Sequence, residues 1–309
     1  MKIYLHYILF ILVIPAYGQR YEYVYRNPSD SAVNCYLMVF PSHKEIKGLI
    51  IRDYSALPDF KKPSRSKLYK MAADSGLMTL YTVTSKFFPE MYYAEPEMRL
   101  LDEIVEEVII KYHIPRSKII MGGISASGTK ALRYAQFCEQ GKSKTGIRLQ
   151  GVFAVDSPLD LARFYNSVKH HKAYFKAGML WEAEHMPKVF AEKFKGSPEE
   201  FPQQYLEASV FSHTQPEQSN ARFLKDLPIV LFHEPDIDWW LNERGSVYYD
   251  FNSYDIAAFV RTLKHMGSDK VTLITTSGKG FDTEGNRNCH SWSIVDENYL
   301  MKWIMEQMN

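Results

Sequence analysis

Cysteine is scarce in this chain of 309 residues, which carries only Cys35, Cys138 and Cys289. An odd number cannot all pair within one chain, and none of the three sits in the CxxC or HxxxH spacing of a zinc site, so neither a disulfide framework nor a metal centre is expected. They read as small core residues or one free thiol. Net charge is lacking too. With 37 Lys+Arg against 36 Asp+Glu and no basic cluster, the field that non-specific nucleic-acid binding needs is missing, and nucleic acid is not an expected partner. The 16 glycines and 15 prolines are spread along the chain, which excludes collagen-like and low-complexity sequence. There is no internal repeat, and no apolar run reaches the roughly 20 residues that span a bilayer.

What remains is a globular composition, 46% apolar and 14% aromatic. At this length one large domain, or one domain with an insertion, is expected, because single cores run to about 250–300 residues. The N-terminus stands apart. Met1-Lys2, the apolar run from Ile3 to Ile14, and small residues at Ala16 and Gly18 read as a secretory signal peptide, with cleavage expected after Gly18 and export to the periplasm or medium. No cysteine lies near the cut to make it a lipoprotein signal. Removal of residues 1–18 takes Lys2 and no acid, so residues 19–309 form a neutral domain.

Patterning divides this domain into strands and helices. Tyr21–Tyr25 and Val33–Phe40 are aromatic and β-branched runs separated by Asn27-Pro28-Ser29-Asp30, the signature of an antiparallel hairpin. Gly48–Ile51, Leu77–Val83, Lys118–Met121, Gly151–Val155, Leu227–Phe232 and Val271–Thr276 read as further strands. Between them lie helical stretches at Leu68–Ala73, Pro96–Tyr112, Ser127–Phe137 and Tyr254–Met266, with a closing helix at Ile294–Met305. Such alternation requires crossover connections, hence an α/β fold with a mostly parallel, mixed sheet covered by helices on both faces. Residues 160–220 break the rhythm. They offer no clear strand and read as a helical insertion, or cap, over the C-terminal strand edge where open α/β sheets bind ligands.

The sharpest local feature is Met121-Gly122-Gly123-Ile124-Ser125-Ala126-Ser127-Gly128, directly before a helical stretch. Gly123 and Ser127, two residues either side of Ser125, are small enough for a tight strand-to-helix turn in a GxSxS pattern. Such a turn lifts the Ser125 hydroxyl out of the sheet and sets the Ala126 N–H at a helix N-terminus, where it can stabilise an oxyanion.

On these residues the chain resembles the α/β-hydrolase family, specifically its exported serine esterases and peptidase-like hydrolases. Ile114–Ile119 before the elbow, the Lys195–Pro202 segment with Tyr205 and Ala208-Ser209, and Leu227–His233 followed by acids are similar to stretches of that family. The likeness spans roughly residues 45–306. It implies a triad in the order serine, acid, histidine. Of the ten histidines only His290 follows the last strand, in Asn288-Cys289-His290-Ser291-Trp292, so the resemblance makes it the base. The acid is expected after Phe232, at Asp236, with Asp238 or Glu234 as alternatives. The second oxyanion donor is expected after the third strand, where Arg52-Asp53-Tyr54-Ser55-Ala56 carries no glycine, leaving an N–H of Asp53 or Tyr54 or the Tyr54 hydroxyl. An Arg52–Asp53 surface pair is the simple reading of those two charges, and Trp239-Trp240 is either core or a substrate-facing wall. The resemblance implies hydrolysis of a small-molecule, lipid or carbohydrate ester through an acyl-enzyme at Ser125, without a cofactor. Alternatives are a peptidase acting on short peptides and a non-catalytic binding protein of this fold.

Overall fold

The computed structural model describes residues 19–309 other than 28, 30, 31, 43, 44, 61–65 and 86–94. The expected signal segment 1–18, and Pro28 and Asp30 of the expected hairpin turn, lie outside the described residues. Eight strands form one sheet: β1 (Tyr21–Tyr25), β2 (Cys35–Val39), β3 (Gly48–Asp53), β4 (Leu77–Val83), β5 (Ile119–Ile124), β6 (Gly151–Val155), β7 (Ile229–His233) and β8 (Val271–Thr275). Their spatial order is β1-β2-β4-β3-β5-β6-β7-β8. β1 pairs antiparallel with β2 and β2 antiparallel with β4, while every other pairing is parallel. The inner strands β2 to β7 are buried along their length, with only Ile124 at the end of β5 half-buried. This is why they read as continuous apolar runs, whereas edge strands β1 and β8 are partly exposed.

The helices are α1 (Leu68–Asp74), α2 (Glu95–Tyr112), α3 (Ala126–Glu139), α4 (Leu161–His170), α5 (Ala177–Phe194), α6 (Pro202–Ala208), α7 (Ser253–His265) and α8 (Glu297–Met308). On one face of the sheet, Leu101 and Val105 of α2, Ala131 and Leu132 of α3, and Phe259 and Leu263 of α7 pack with Leu49, Met121 and Leu231. On the other, Leu68 and Ala72 of α1 and Leu300 and Ile304 of α8 pack with Ile50, Phe153 and Phe232. α8 starts three residues later than its apolar pattern suggests. Its N-cap is Asp296, whose side chain accepts from Asn298 N and Tyr299 N, and Trp292–Ile294 forms a separate 3₁₀ turn.

A third core is built largely by the chain segment that connects β6 to β7. Phe164 of α4, Met186 and Phe190 of α5 and Tyr205 of α6 cluster with Ala126, Trp240, Phe251 and Cys289. The insertion therefore packs against the start of α3 and the chain beside His290. All three cysteines are free and buried. No helix among the described residues is long and apolar enough to cross a membrane.

Arg52 and Asp53, adjacent at the end of β3, do not form the expected surface pair. Both are buried, and strand alternation sends them to opposite faces. Asp53 accepts from Thr82 and Thr84 (2.7 and 2.9 Å) and lies 3.4 Å from the ammonium of Lys130, a fully buried residue of α3. The charges thus fasten α3 under the strand ends, each kept from isolation by the other.

Candidate active site

Ser125 joins β5 to α3 at φ 55°, ψ −130°, a conformation that costs a non-glycine residue free energy and persists only where its surroundings enforce it. They do so here. Ser125 N donates to Val155 O (2.8 Å), and Ser125 O accepts from Gly128 N and Thr129 N (3.0 and 3.1 Å). The turn is so tight that a Cβ on Gly123 would stand 2.4 Å from Ser127 Cβ, and one on Gly128 would stand 2.2 Å from Ser157 Oγ. Ala126, the first residue of α3, has its N–H ahead of the intrahelical ladder, where an N-terminal N–H is free to meet an anion.

His290 and Ser125 line one cavity of about 100 Å³ together with Glu182, Trp240, Arg244 and Phe251. The carboxylate facing His290 is that of Asp156, at the end of β6: His290 Nδ1 donates to Asp156 Oδ2 at 2.6 Å. The expected acid therefore has to be corrected. Asp236 caps the short turn Ile237–Trp239 through Trp239 N (3.0 Å) and pairs with Arg287 at 2.8 Å. Glu234 binds the same guanidinium, Thr276 and Lys279 N, while Asp238 is exposed. Glu234 and Asp236 are spent on fixing the 276–287 loop. Glu234, Asp236 and Cys289 lie close enough to share an ion, but Arg287 already supplies positive charge to both acids.

Asp156 is held from several sides. His233 Nδ1 donates to Oδ1 (2.9 Å), and His233 Nε2 accepts from the Ser253 hydroxyl. Asn252 Nδ2 reaches both Oδ1 and the Asp156 carbonyl oxygen (3.0 and 2.9 Å). The Asp156 backbone is itself at positive φ, 44°. Burial alone would raise its carboxyl, but the charges and hydrogen bonds of His290 and His233 outweigh this and hold it well below the usual carboxylate range. In return, burial disfavours the His290 imidazolium, but the Asp156 charge outweighs that and raises the group above its ordinary value. A histidine whose Nδ1 is fixed as donor leaves Nε2 free to accept a proton.

One further feature of the cavity escapes the sequence pattern. Glu182, from α5, is half-buried at its wall, and burial pushes its carboxyl up to about 7 against the opposing charges of His290 and Arg163. Trp240 walls the cavity, stacked on Phe251 with ring centroids 5.4 Å apart and edge-on to His290 at 6.4 Å. Trp239 is buried with its Nε1 on Arg287 O (3.0 Å), so the tandem tryptophans divide between wall and core. The Tyr54 N–H is committed to Thr82 O (2.9 Å) and is not open to an oxyanion, whereas its hydroxyl accepts from Arg52 and keeps its own proton to donate. The ring lines a second, wider cavity that also includes His290.

No family model matches the chain, and no curated protein matches it. Solved structures do. An acylaminoacyl peptidase of Pyrococcus horikoshii superposes with a TM-score of 0.54 at 14% identity, over 89% of this chain and 38% of that one. The chain thus spans well under half the length of that peptidase. Carboxyl esterase 2 of Tuber melanosporum gives 0.54 at 13% identity, over 89% and 81% of the two chains. A truncated carbohydrate esterase from gut microbiota gives 0.56 at 15% identity, over 88% and 90%. The strand order, the elbow after β5 and these superpositions agree that the chain has the α/β-hydrolase fold.

Proposed function

We propose that the protein is an exported serine hydrolase that cleaves carboxylic esters through an acyl-enzyme at Ser125, with His290 as base and Asp156 as the orienting acid. The observation that carries this reading is the joint one of Ser125 at φ 55° beside a histidine whose Nδ1 lies 2.6 Å from a buried carboxylate. His290 Nε2 takes the Ser125 hydroxyl proton as Oγ attacks the ester carbonyl carbon. The Ala126 N–H and the positive end of α3 stabilise the oxyanion that forms. His290 then protonates the departing alkoxide, and a water activated by the same nitrogen releases the acid. Asp156 stays ionised throughout and fixes the tautomer of His290.

A fluorophosphonate should label the wild-type chain at Ser125 and leave Ser125→Ala unlabelled; an unlabelled wild type would end the hydrolase reading in favour of a binding protein. A peptidase acting on short peptides is the nearest enzymatic alternative. Rates on p-nitrophenyl esters and on aminoacyl p-nitroanilides separate the two, with esters expected to be the faster substrates. Export rests on the apolar run and the Ala16/Gly18 spacing. N-terminal sequencing of the exported chain should begin at Gln19, and a chain still beginning at Met1 would refute it.

A further inference from the structure

His290 borders two cavities. Besides the small one it shares with Ser125, it lines an open cleft of about 630 Å³ with Arg52, Tyr54, Tyr81, Ile124 and Trp292. Arg52 is the unusual member. It is only 3% exposed, yet no carboxylate among the described residues is paired with it. Its Nε is buried without a hydrogen-bond partner, and it donates to the Tyr54 hydroxyl. Its guanidinium carbon lies 4.2 Å from the Trp292 ring centroid, 5.2 Å from that of Tyr54 and 6.0 Å from those of Tyr81 and Phe153. Aromatic faces offset part of the cost of taking a cation out of water, but a buried guanidinium ordinarily has an anion as well.

Two acids at or beside this cleft are already satisfied. Asp282, which lines the same cleft, accepts from Glu284 N, Asn286 N and Asn286 Nδ2 at 2.8, 2.9 and 3.1 Å. Glu297 accepts from Trp292 Nε1, Ser66 Oγ and Lys67 N at 2.8, 2.7 and 2.8 Å. Arg52 is thus a pre-positioned cation facing a cleft beside the reactive histidine, held by rings and without an anion of its own among the described residues. Its planar fork matches a carboxylate.

We infer that Arg52 binds a carboxylate of the substrate in this cleft, so that the favoured substrates are esters bearing a carboxylate on the part that lies between Tyr54 and Trp292. The inference rests on the serine hydrolase reading for its reaction but not for its binding site. The anion can sit on either side of the scissile bond, and two matched pairs distinguish the sources. Mono-p-nitrophenyl glutarate against p-nitrophenyl pentanoate places it on the acyl side, and 4-acetoxybenzoate against its methyl ester places it on the alcohol side.

In one of the two pairs the wild type should favour the anionic member in kcat/KM by about tenfold or more, through KM. Arg52→Gln should abolish that ratio with little change for the neutral ester, and Arg52→Lys should restore part of it. A ratio near one in both pairs for the wild type would overturn the inference. So would an equal fall for anionic and neutral esters in Arg52→Gln, the result of a purely structural cation. Calorimetric titration of glutarate and 4-hydroxybenzoate into the wild type and Arg52→Lys reads the site without turnover. One of the two acids should bind the wild type and bind the variant several-fold more weakly; no binding of either would overturn the inference even where Arg52→Gln fails to fold. Fluorophosphonate labelling reports separately on Ser125, so failure of the chemistry and failure of the anion site are distinguishable.

Discussion

Asp156 shares its two carboxylate oxygens between two imidazoles, His290 on Oδ2 and His233 on Oδ1. Only the first faces the cavity of Ser125; the second, with Asn252, fixes the carboxylate. Asp156→Asn should keep this shape while removing the charge that orients His290, and lower kcat by about two to four orders of magnitude. Asp236→Asn should change kcat little, because Arg287 retains Glu234. Steady-state kinetics on one ester compares them, and the reverse order would return the acid to the loop after β7. The sequence hides this assignment for a physical reason. Asp156 ends the run Val152–Val155 like any strand-capping acid, and its meeting with His290 spans 134 residues. Local spacing identifies Ser125 because an elbow is a local object. It does not identify a partner delivered by sheet pairing.

Glu182 gives the cavity a pH response. Its carboxyl is pushed up to about 7 by burial, so it is neutral in mild acid and becomes an anion above neutrality. The charged groups around it are His290, Arg163, Asp156 and Arg244, with Asp250 on the same cavity. Once ionised, Glu182 adds to the Asp156 charge in raising His290. Glu182→Gln removes that contribution, so the acid limb of the kcat/KM profile, where His290 must lose its proton to act as base, should move to lower pH. An unmoved limb would mean that another group governs it.

At the scale of elements, α5 walls the cavity that holds Ser125. Gly178, Met179 and Glu182 of its first turns line the cavity of about 100 Å³, a volume suited to a short chain. Met179 is buried against the insertion's own core, so its flexible thioether fills space rather than holding the fold. Met179→Ala should lengthen the preferred acyl chain and raise kcat/KM for a longer acyl ester relative to acetate by about tenfold, the order that one or two methylenes of pocket are worth. A series of p-nitrophenyl esters from acetate to octanoate reads this directly. An unchanged preference would place the acyl chain elsewhere, in the cleft of Arg52. The insertion is visible in the sequence as an interruption, since a stretch that forms the helices α4, α5 and α6 and no strand cannot join a parallel sheet. Its inward face is not visible, because Met, Phe and Trp at helical spacing look the same whether they face a core or a ligand.

Over the whole molecule, the strands are legible because burial on both faces demands continuous apolar runs, and the helices because one covered face imposes a 3.6-residue period. Strand order and the joining of insertion to sheet depend on buried polar groups that no pattern announces. Asp255 of α7 is the main example. It accepts from Arg163 Nε and Nη2 of α4 (2.8 and 2.5 Å), from Leu159 N and Asp160 N (2.9 and 3.1 Å), and pairs with His213 Nε2 at 2.9 Å. Asp255→Leu would leave a buried guanidinium without its carboxylate and two N–H groups without acceptors, and should cost about 3–5 kcal/mol at pH 7.

Arg163→Met should cost less, because the carboxylate keeps its two backbone donors and His213. Burial disfavours the ionised Asp255, but Arg163 and His213 outweigh it and hold the carboxyl below its usual range. A group whose folded value is depressed stabilises the protein above its unfolded value near 4 and loses that contribution as pH falls toward the folded one. The gap between wild type and Asp255→Leu in urea unfolding should therefore be full at pH 7 and narrow below about pH 4. A gap independent of pH would assign the loss to packing, and an Arg163→Met variant less stable than Asp255→Leu would make the guanidinium, rather than the carboxylate, the group that joins the insertion to the sheet.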